Sequence, residues 1–310
     1  MKIACLDLGS LGADLNTSAI KSIGEVSIYN ATDSSLVIER LFDIEVAVIN
    51  KIVLGRDLLN KLPSLKLICI TATGMDNVDL EACDDLGIQV KNVKGYSTQS
   101  VVQHTFSMLF YLLSNSKYFD EYTSCKQWAK SEHFTHLGQP FTELSGKRWG
   151  IIGLGAIGSD VAKVASAFGV EIIYYSTSGL NKNDIYEKST LENLLSTSDI
   201  ISIHAPLNNK TKNLIGAKEL SMIKDTAILL NLGRGPIINE SDLADKLEQS
   251  DLRVGLDVLE VEPFCLDSSL ERVVHLPNLF LTPHIAWASK EARDLLFKLT
   301  IKNILDYINS

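Results

Sequence analysis

Between Lys147 and Gly169 the chain reads KRWGIIGLGAIGSDVAKVASAFG, and few segments constrain a fold more tightly. An apolar strand, WGII, runs straight into Gly153-Leu154-Gly155-Ala156-Ile157-Gly158. An amphipathic helix follows at once, with Gly169 as its stop. A strand that turns so abruptly into a helix belongs to a parallel sheet with crossover helices. The glycines carry a second implication: in this context, G-x-G-x-x-G lets backbone N–H groups at a helix start hold a pyrophosphate. The earlier DLGSLG, with Gly9 and Gly12, lacks that spacing and reads as an ordinary turn.

The same alternation of short apolar strands and amphipathic stretches runs through most of the 310 residues, so the chain is read as α/β with doubly wound parallel sheets. That length exceeds what one hydrophobic core usually serves, and two domains are expected. In the first hundred residues strands are expected near Lys2–Leu6, Glu25–Tyr29, Val46–Ile49, Leu67–Ile70 and Val90–Asn92. A long helix is expected from Gln99 to about Ser116, with Val102, Phe106, Leu109 and Leu113 on one face. The stretch after it, KYFDEYTSCKQWAKSEHFTHLGQPFTEL, has no clean period. It reads as an irregular surface arm exposing Tyr118, Tyr122, Trp128, Phe134 and Phe141 to a partner. Ser289 caps a final amphipathic helix, expected to pack back on the first unit.

Composition narrows the function classes. Net charge is −9 and no Lys/Arg block tracks a phosphate backbone, which argues against nucleic acid. No segment is long and apolar enough to span a membrane. The N-terminus, MKIACLDLGSLG, is broken by Asp7 and reads as a first buried strand, not a signal peptide. Five scattered cysteines form no CxxC pair, so neither a disulfide framework nor a metal site is expected. The expected location is cytoplasmic.

The chemistry gathers at the ends of successive strands in the second unit. VEIIYY ends at Ser176, where an acidic residue would bond the ribose hydroxyls of NAD. A serine there permits either a ribose or a 2′-phosphate, and Lys182 is the nearest cation. The expected cofactor is NAD, with NADP not excluded. DIISIHAP ends at His204-Ala205-Pro206, a histidine read as structural or as lining the cofactor site. TAILLNLGRG delivers Arg234, RVGLDVLEVEP delivers Asp257 and Glu262, and LFLTPHIAWAS delivers His284. In a doubly wound sheet these ends open on one crevice. Arg234 can bind a carboxylate in bidentate fashion, His284 can exchange a proton near neutral pH, and Glu262 can orient the imidazole. That set suits reduction of a 2-oxo acid.

Gly153–Gly158, LLNLGRG, GLDVLEVEP and TPHIAWAS, in this order and spacing, resemble the D-isomer-specific 2-hydroxyacid dehydrogenases, NAD(P)-dependent oxidoreductases acting on the CH–OH group of 2-hydroxy acids. The resemblance implies two Rossmann-like domains with the active-site cleft between them. Residues 1–100 plus 283–310 would bind substrate and residues 101–282 the cofactor. It implies Arg234, Glu262 and His284 as the catalytic triad. Gly153, Gly155, Ala156, Ile157, Gly158, Ser176, His204, Ala205, Pro206, Thr211, Asn231, Leu232, Gly233, Asp257 and Ala286 would contact the cofactor. Thr73, Gly74 and Trp287, with Arg234 and His284, would meet a small 2-oxo or 2-hydroxy acid, and the chain would form a homodimer through its aromatic arm. GYSTQSVVQHTF, YYSTSG and HIAWAS resemble the hydroxypyruvate reductase (glycerate dehydrogenase) branch. Dehydrogenases for other 2-oxo acids, lactate-type or phosphoglycerate-type, and a non-catalytic dinucleotide-sensing protein of the same fold remain alternatives.

Overall fold

The four-residue runs VAVI, LICI, IISI and ILLN are buried at every position, so neither face of these strands meets water. Continuous apolar strands of this kind require cover on both sides, the condition of a parallel sheet flanked by helices. A computed structural model, describing residues 1–180 and 183–309, shows two such sheets, one in each of two compact units.

The first unit comprises Met1–Ser97 and the chain from Trp287 on. Its strands are β1 (Lys2–Cys5), β2 (Glu25–Ile28), β3 (Val46–Ile49), β4 (Leu67–Ile70) and β5 (Gln89–Lys91). They lie in the order β2-β1-β3-β4-β5, every pairing parallel. The C-terminal helix, Lys290–Ile308, begins at the expected cap, where the Ser289 side chain accepts from the Ala292 N–H. It places Ala292, Leu296, Phe297 and Ile304 in one cluster with Ile3, Cys5, Leu67 and Cys69, and so closes one face of this sheet.

The second unit is Thr98–Ala286. It opens with helix α1 (Thr98–Leu113), which buries Val102, Phe106, Leu109 and Leu113 as its spacing predicts. Its strands are β6 (Arg148–Ile152), β7 (Glu171–Tyr175), β8 (Glu187–Lys188), β9 (Ile200–Ile203), β10 (Ile228–Asn231), β11 (Arg253–Leu256) and β12 (Leu279–Leu281). They form a parallel sheet in the order β12-β11-β10-β9-β6-β7-β8. Strand order reverses about β6, the strand that leads into the glycine-rich turn.

The units divide at 97/98 and 286/287, within four residues of the expected 100/101 and 282/283. Residues 98–100 are already the first turn of α1, and Ile285 and Ala286 hydrogen-bond to Asp257 of the second unit. The aromatic arm is not irregular throughout: α1 ends at Leu113, and α2 (Ser116–Ser124) follows after Asn115 takes a left-handed turn (φ 49°). Tyr118 and Tyr122 are half-buried because both pack on the His136 ring, Tyr122 stacking at 3.8 Å and Tyr118 adding a 2.6 Å hydrogen bond. Trp128, Phe134 and Phe141 are exposed as expected.

Candidate active site

The glycine-rich turn assigns a different task to each glycine. Gly153 sits at φ 93°, and a Cβ there would lie 2.9 Å from the Ala205 backbone. The ends of β6 and β9 therefore touch main chain to main chain. At Gly158 a Cβ would meet the Gly153 carbonyl oxygen at 2.3 Å, so this glycine lets the helix close on its own strand. Gly155 differs: its φ of −84° suits any residue, and a Cβ would find nothing within 4 Å. The space beside Gly155 is open, and it faces the first turn of α3 (Ala156–Ser166). No side chain caps that helix, which leaves its leading N–H groups for an anion. Ala156 is exposed and Ile157 half-buried along the same edge. A dinucleotide pyrophosphate fits these residues: donors, positive helix end and clearance occur together.

From β9 to β11 the strand-end loops are in backbone contact. A Cβ on Gly233 would lie 2.8 Å from Ala205 O, and one on Gly235 would overlap Leu259. Buried Asn231 clamps the turn, accepting from Gly233 N–H at 3.0 Å and donating to the Arg234 carbonyl at 2.9 Å. Leu232 is buried beside it. Arg234 itself is half-buried and donates one Nη1 hydrogen to Gly233 O at 2.9 Å. Among the described residues no carboxylate lies within ion-pair distance of its guanidinium. An always-charged fork left without a counterion is a ready receptor for a carboxylate.

The loops after β11 and β12 bring an acid and a histidine together. His284 Nδ1 lies 2.6 Å from Glu262 Oε2, and Glu262 Oε1 accepts from Leu259 N–H at 3.0 Å. A carboxylate only accepts, so Nδ1 carries the proton of that bond. Nε2 is then the atom that takes or gives one. Both side chains keep a quarter to a third of their surface open. Asp257, a cofactor candidate, is held by hydrogen bonds within the protein. Its Oδ1 accepts from Ile285 N–H (2.8 Å) and Thr282 Oγ1 (2.7 Å), and its Oδ2 from Ala286 N–H (3.0 Å). Only 2% of it reaches solvent, so it is no solvated loop acid.

Three further cofactor candidates sit at the same strand ends. Ser176 is buried at the end of β7. The His204 ring bonds Ser202 Oγ at 3.0 Å, its Nδ1 is buried with no partner among the described residues, and burial pushes its pKa down to about 3. It is a neutral lining residue. Thr211 is fully buried and ties the loop after β9, donating to Pro206 O at 2.7 Å and accepting from Asn208 N–H at 2.8 Å.

The chain is similar to known proteins along its length. Residues 106–286 match the family model described as D-isomer specific 2-hydroxyacid dehydrogenase, NAD binding domain. A putative 2-hydroxyacid dehydrogenase of Haemophilus influenzae is 36% identical over 99% of this chain and 98% of its own length. The chain belongs to the D-isomer-specific 2-hydroxyacid dehydrogenase family. A glycerate dehydrogenase of Methylorubrum extorquens is also 36% identical, over 88% of this chain and 85% of that one. Among solved structures, a D-lactate dehydrogenase of Aquifex aeolicus complexed with NAD and lactic acid superposes with a TM-score of 0.87. It shares 26% identity and covers 99% of this chain and 95% of that one. The chain is thus an NAD(P)-dependent oxidoreductase of this family, and residues 106–286 are its NAD-binding domain.

The remaining substrate candidates of this dehydrogenase lie in the first unit. Thr73 and Gly74 follow β4 in a loop held on both sides: Thr73 Oγ1 donates to Val93 O at 3.0 Å, and Asn92 Nδ2 donates to Thr73 O at 2.7 Å. Trp287 packs edge-on against Tyr96 with ring centroids 6.3 Å apart. Lys182 lies outside the described residues. The sequence reading missed His104 and Ser100, which stand one helical turn apart on α1 and both reach the His284 loop. Two hydrogen-bonding residues four apart on one side of the helix were the available signal.

Among the described residues no group of three or more His, Cys, Asp or Glu side chains is arranged to hold a metal ion, and no helix is long and apolar enough to cross a membrane.

Proposed function

We propose that the chain reduces a small 2-oxo acid, hydroxypyruvate or glyoxylate, to the corresponding D-2-hydroxy acid. The observation that carries this reading is the His284–Glu262 pair at 2.6 Å, at a strand end two strands of the sheet away from uncompensated Arg234. Arg234 binds the substrate carboxylate. NADH, when bound, supplies the hydride to the carbonyl carbon. His284 Nε2 gives its proton to the carbonyl oxygen and recovers it from solvent, while Glu262 holds the ring by Nδ1 and offsets its charge. The turn Gly153–Gly158 and the N-terminus of α3 hold the pyrophosphate, Ser176 the adenosine ribose, and the loops at Ala205–Pro206 and Asn231–Gly233 line the rest. The substrate class rests on similarity to a glycerate dehydrogenase.

Two coarser features complete the proposal. The exposed Trp128, Phe134, Leu137 and Phe141 of the arm suit burial against a second copy, giving a homodimer. Five unpaired cysteines, with the Cys5 and Cys69 thiols pushed up to about 12 by burial, suit a reducing cytoplasm. The test is loss of the reduced-nicotinamide absorbance with hydroxypyruvate, glyoxylate and pyruvate, run in parallel with NADH and NADPH. Turnover of hydroxypyruvate or glyoxylate is expected. No turnover with any of the three would reject the reading.

A further inference from the structure

His284 has a backbone that an L-residue rarely adopts. Its φ is 53°, in the left-handed region, which is unfavourable for a residue with a Cβ. Such a conformation persists only where the surroundings over-determine it. The loop that carries it is fastened accordingly. Thr282 N–H donates to Leu256 O at 3.0 Å and His284 N–H to Asp257 O at 2.9 Å. Ile285 and Ala286 N–H each donate to an oxygen of the Asp257 carboxylate, and the Ala286 carbonyl accepts from Ser100 Oγ at 2.6 Å.

The outermost member of this network is His104. Its Nε2 is 3.0 Å from Thr282 Oγ1 and 3.6 Å from Asp257 Oδ1. The proton order follows from valence. Asp257 accepts only, so the one hydroxyl proton of Thr282 goes to it. The Thr282 oxygen is then an acceptor, and His104 must present Nε2–H. A neutral ring suffices for this, and burial lowers the His104 pKa against the opposing pull of Asp257.

We propose that His104 is a positioning residue for the reduction: through Thr282 and Asp257 it holds the His284 loop in its left-handed conformation, which keeps Nδ1 on Glu262 and leaves Nε2 free for the substrate. This rests on reading His284 as the proton donor. His104 touches no substrate and exchanges no proton with it.

Two variants separate positioning from filling of space. Gln at 104 can still donate to Thr282 through its Nε2, whereas Leu cannot. His104→Leu is expected to lower kcat by about 10–100-fold with NADH affinity unchanged, because small misplacements of a reacting group have effects of that size. The solvent deuterium isotope effect on kcat should rise as proton transfer becomes slow, and His104→Gln should restore most of the rate. Thr282→Val, which removes the middle link, should fall as far as His104→Leu, and the double variant no further. Equal losses in the Leu and Gln variants, additive losses in the double variant, or a normal kcat in His104→Leu would overturn the proposal.

A spectroscopic readout keeps this apart from the activity itself. The His284 Nδ1 proton resonance, identified by its loss in His284→Ala, should be seen at low field in the wild type and in His104→Gln, and broadened or lost in His104→Leu. Should the wild type reduce none of the 2-oxo acids, the functional reading fails while this measurement still decides the positioning role. An unchanged resonance in His104→Leu would reject it whatever the activity.

Discussion

Replacing Gly153 and Gly155 separately by alanine should divide what the fold needs from what the cofactor needs. At Gly155 an alanine meets no steric objection, since φ is −84° and the Cβ points into open space. Alanine is a poorer N-cap than glycine, by about 0.5–1 kcal/mol, and it restricts the unfolded chain by a similar amount. The two effects nearly cancel, and Tm should move by no more than about 3 °C. Gly153 is the opposite case. Alanine at φ 93° costs about 1–2 kcal/mol. Its Cβ would press at 2.9 Å on the Ala205 main chain, which cannot swing aside, and overpacking of this kind adds about 1–3 kcal/mol. The sum of about 2–5 kcal/mol corresponds to a Tm lowered by roughly 5–15 °C.

Binding should rank the variants differently. The methyl of Gly155→Ala occupies space assigned to the pyrophosphate and pushes it off at least one N–H. Loss of a charge-assisted bond is worth about 1.5–3 kcal/mol, a weakening of NADH by roughly 10–150-fold. Calorimetric melts and NADH fluorescence titrations on the two variants measure both quantities. Wild-type NADH affinity in Gly155→Ala would refute the reasoning, because the open space would then not be where the dinucleotide lies. So would a Tm loss in Gly155→Ala as large as in Gly153→Ala.

Three further outcomes follow from the site. His284→Ala should lower kcat by about 10²–10⁴-fold with NADH affinity unchanged; loss of NADH binding along with turnover would remove His284 from the proton-transfer role. His204, held near 3 in the fold against an ordinary value of about 6.5, takes up its proton more readily when unfolded. Its contribution to stability is full above pH 6.5 and lost as pH falls toward 3, by up to about 1.4 kcal/mol per pH unit. Urea unfolding at pH 7.5 to 5 should therefore show a shallower pH slope in His204→Gln than in the wild type, and equal slopes would contradict the burial argument. Ser176→Asp should depress NADPH turnover relative to NADH by about tenfold or more, since a carboxylate repels a 2′-phosphate; an unchanged ratio would mean that position 176 does not meet the ribose.

The parts of this protein legible in its sequence are those written by local physics. VAVI, LICI and ILLN announce buried strands because nothing else accommodates such runs at that length. The strand–glycine–helix unit and the Ser289 cap follow rules that act over a few residues. Arg234 and His284 stood out because each is polar at the end of an apolar strand. The break at Asn115 was hidden because helical periodicity continues nearly across it, and only its left-handed backbone starts a new helix. The Asp257 network was hidden for a different reason. His104 and Thr282 are 178 residues apart, and nothing in either neighbourhood states that the sheet brings them to 3.0 Å. Asp257 looks like any loop acid until two backbone N–H groups and a hydroxyl are found on its oxygens.

That concealed network bears on why the site is built as it is. A histidine in a relaxed loop would reach Glu262 and the substrate only part of the time, and each reaction would carry the entropy of ordering it. Here the ordering cost is met during folding. The strained φ of His284 is offset by bonds from Asp257, which is oriented by Thr282, which is in turn held by a histidine on a helix from the start of the domain. The glycine contacts at Ala205 and Leu259 do the same for the loop that carries Arg234, fixing it by main chain and not by side chains that could rotate. Loosening the Asp257 network should therefore leave the fold and the cofactor in place and damage the rate. Preorganisation makes that prediction, and a reading of these contacts as mere stabilisation would instead place the loss in Tm.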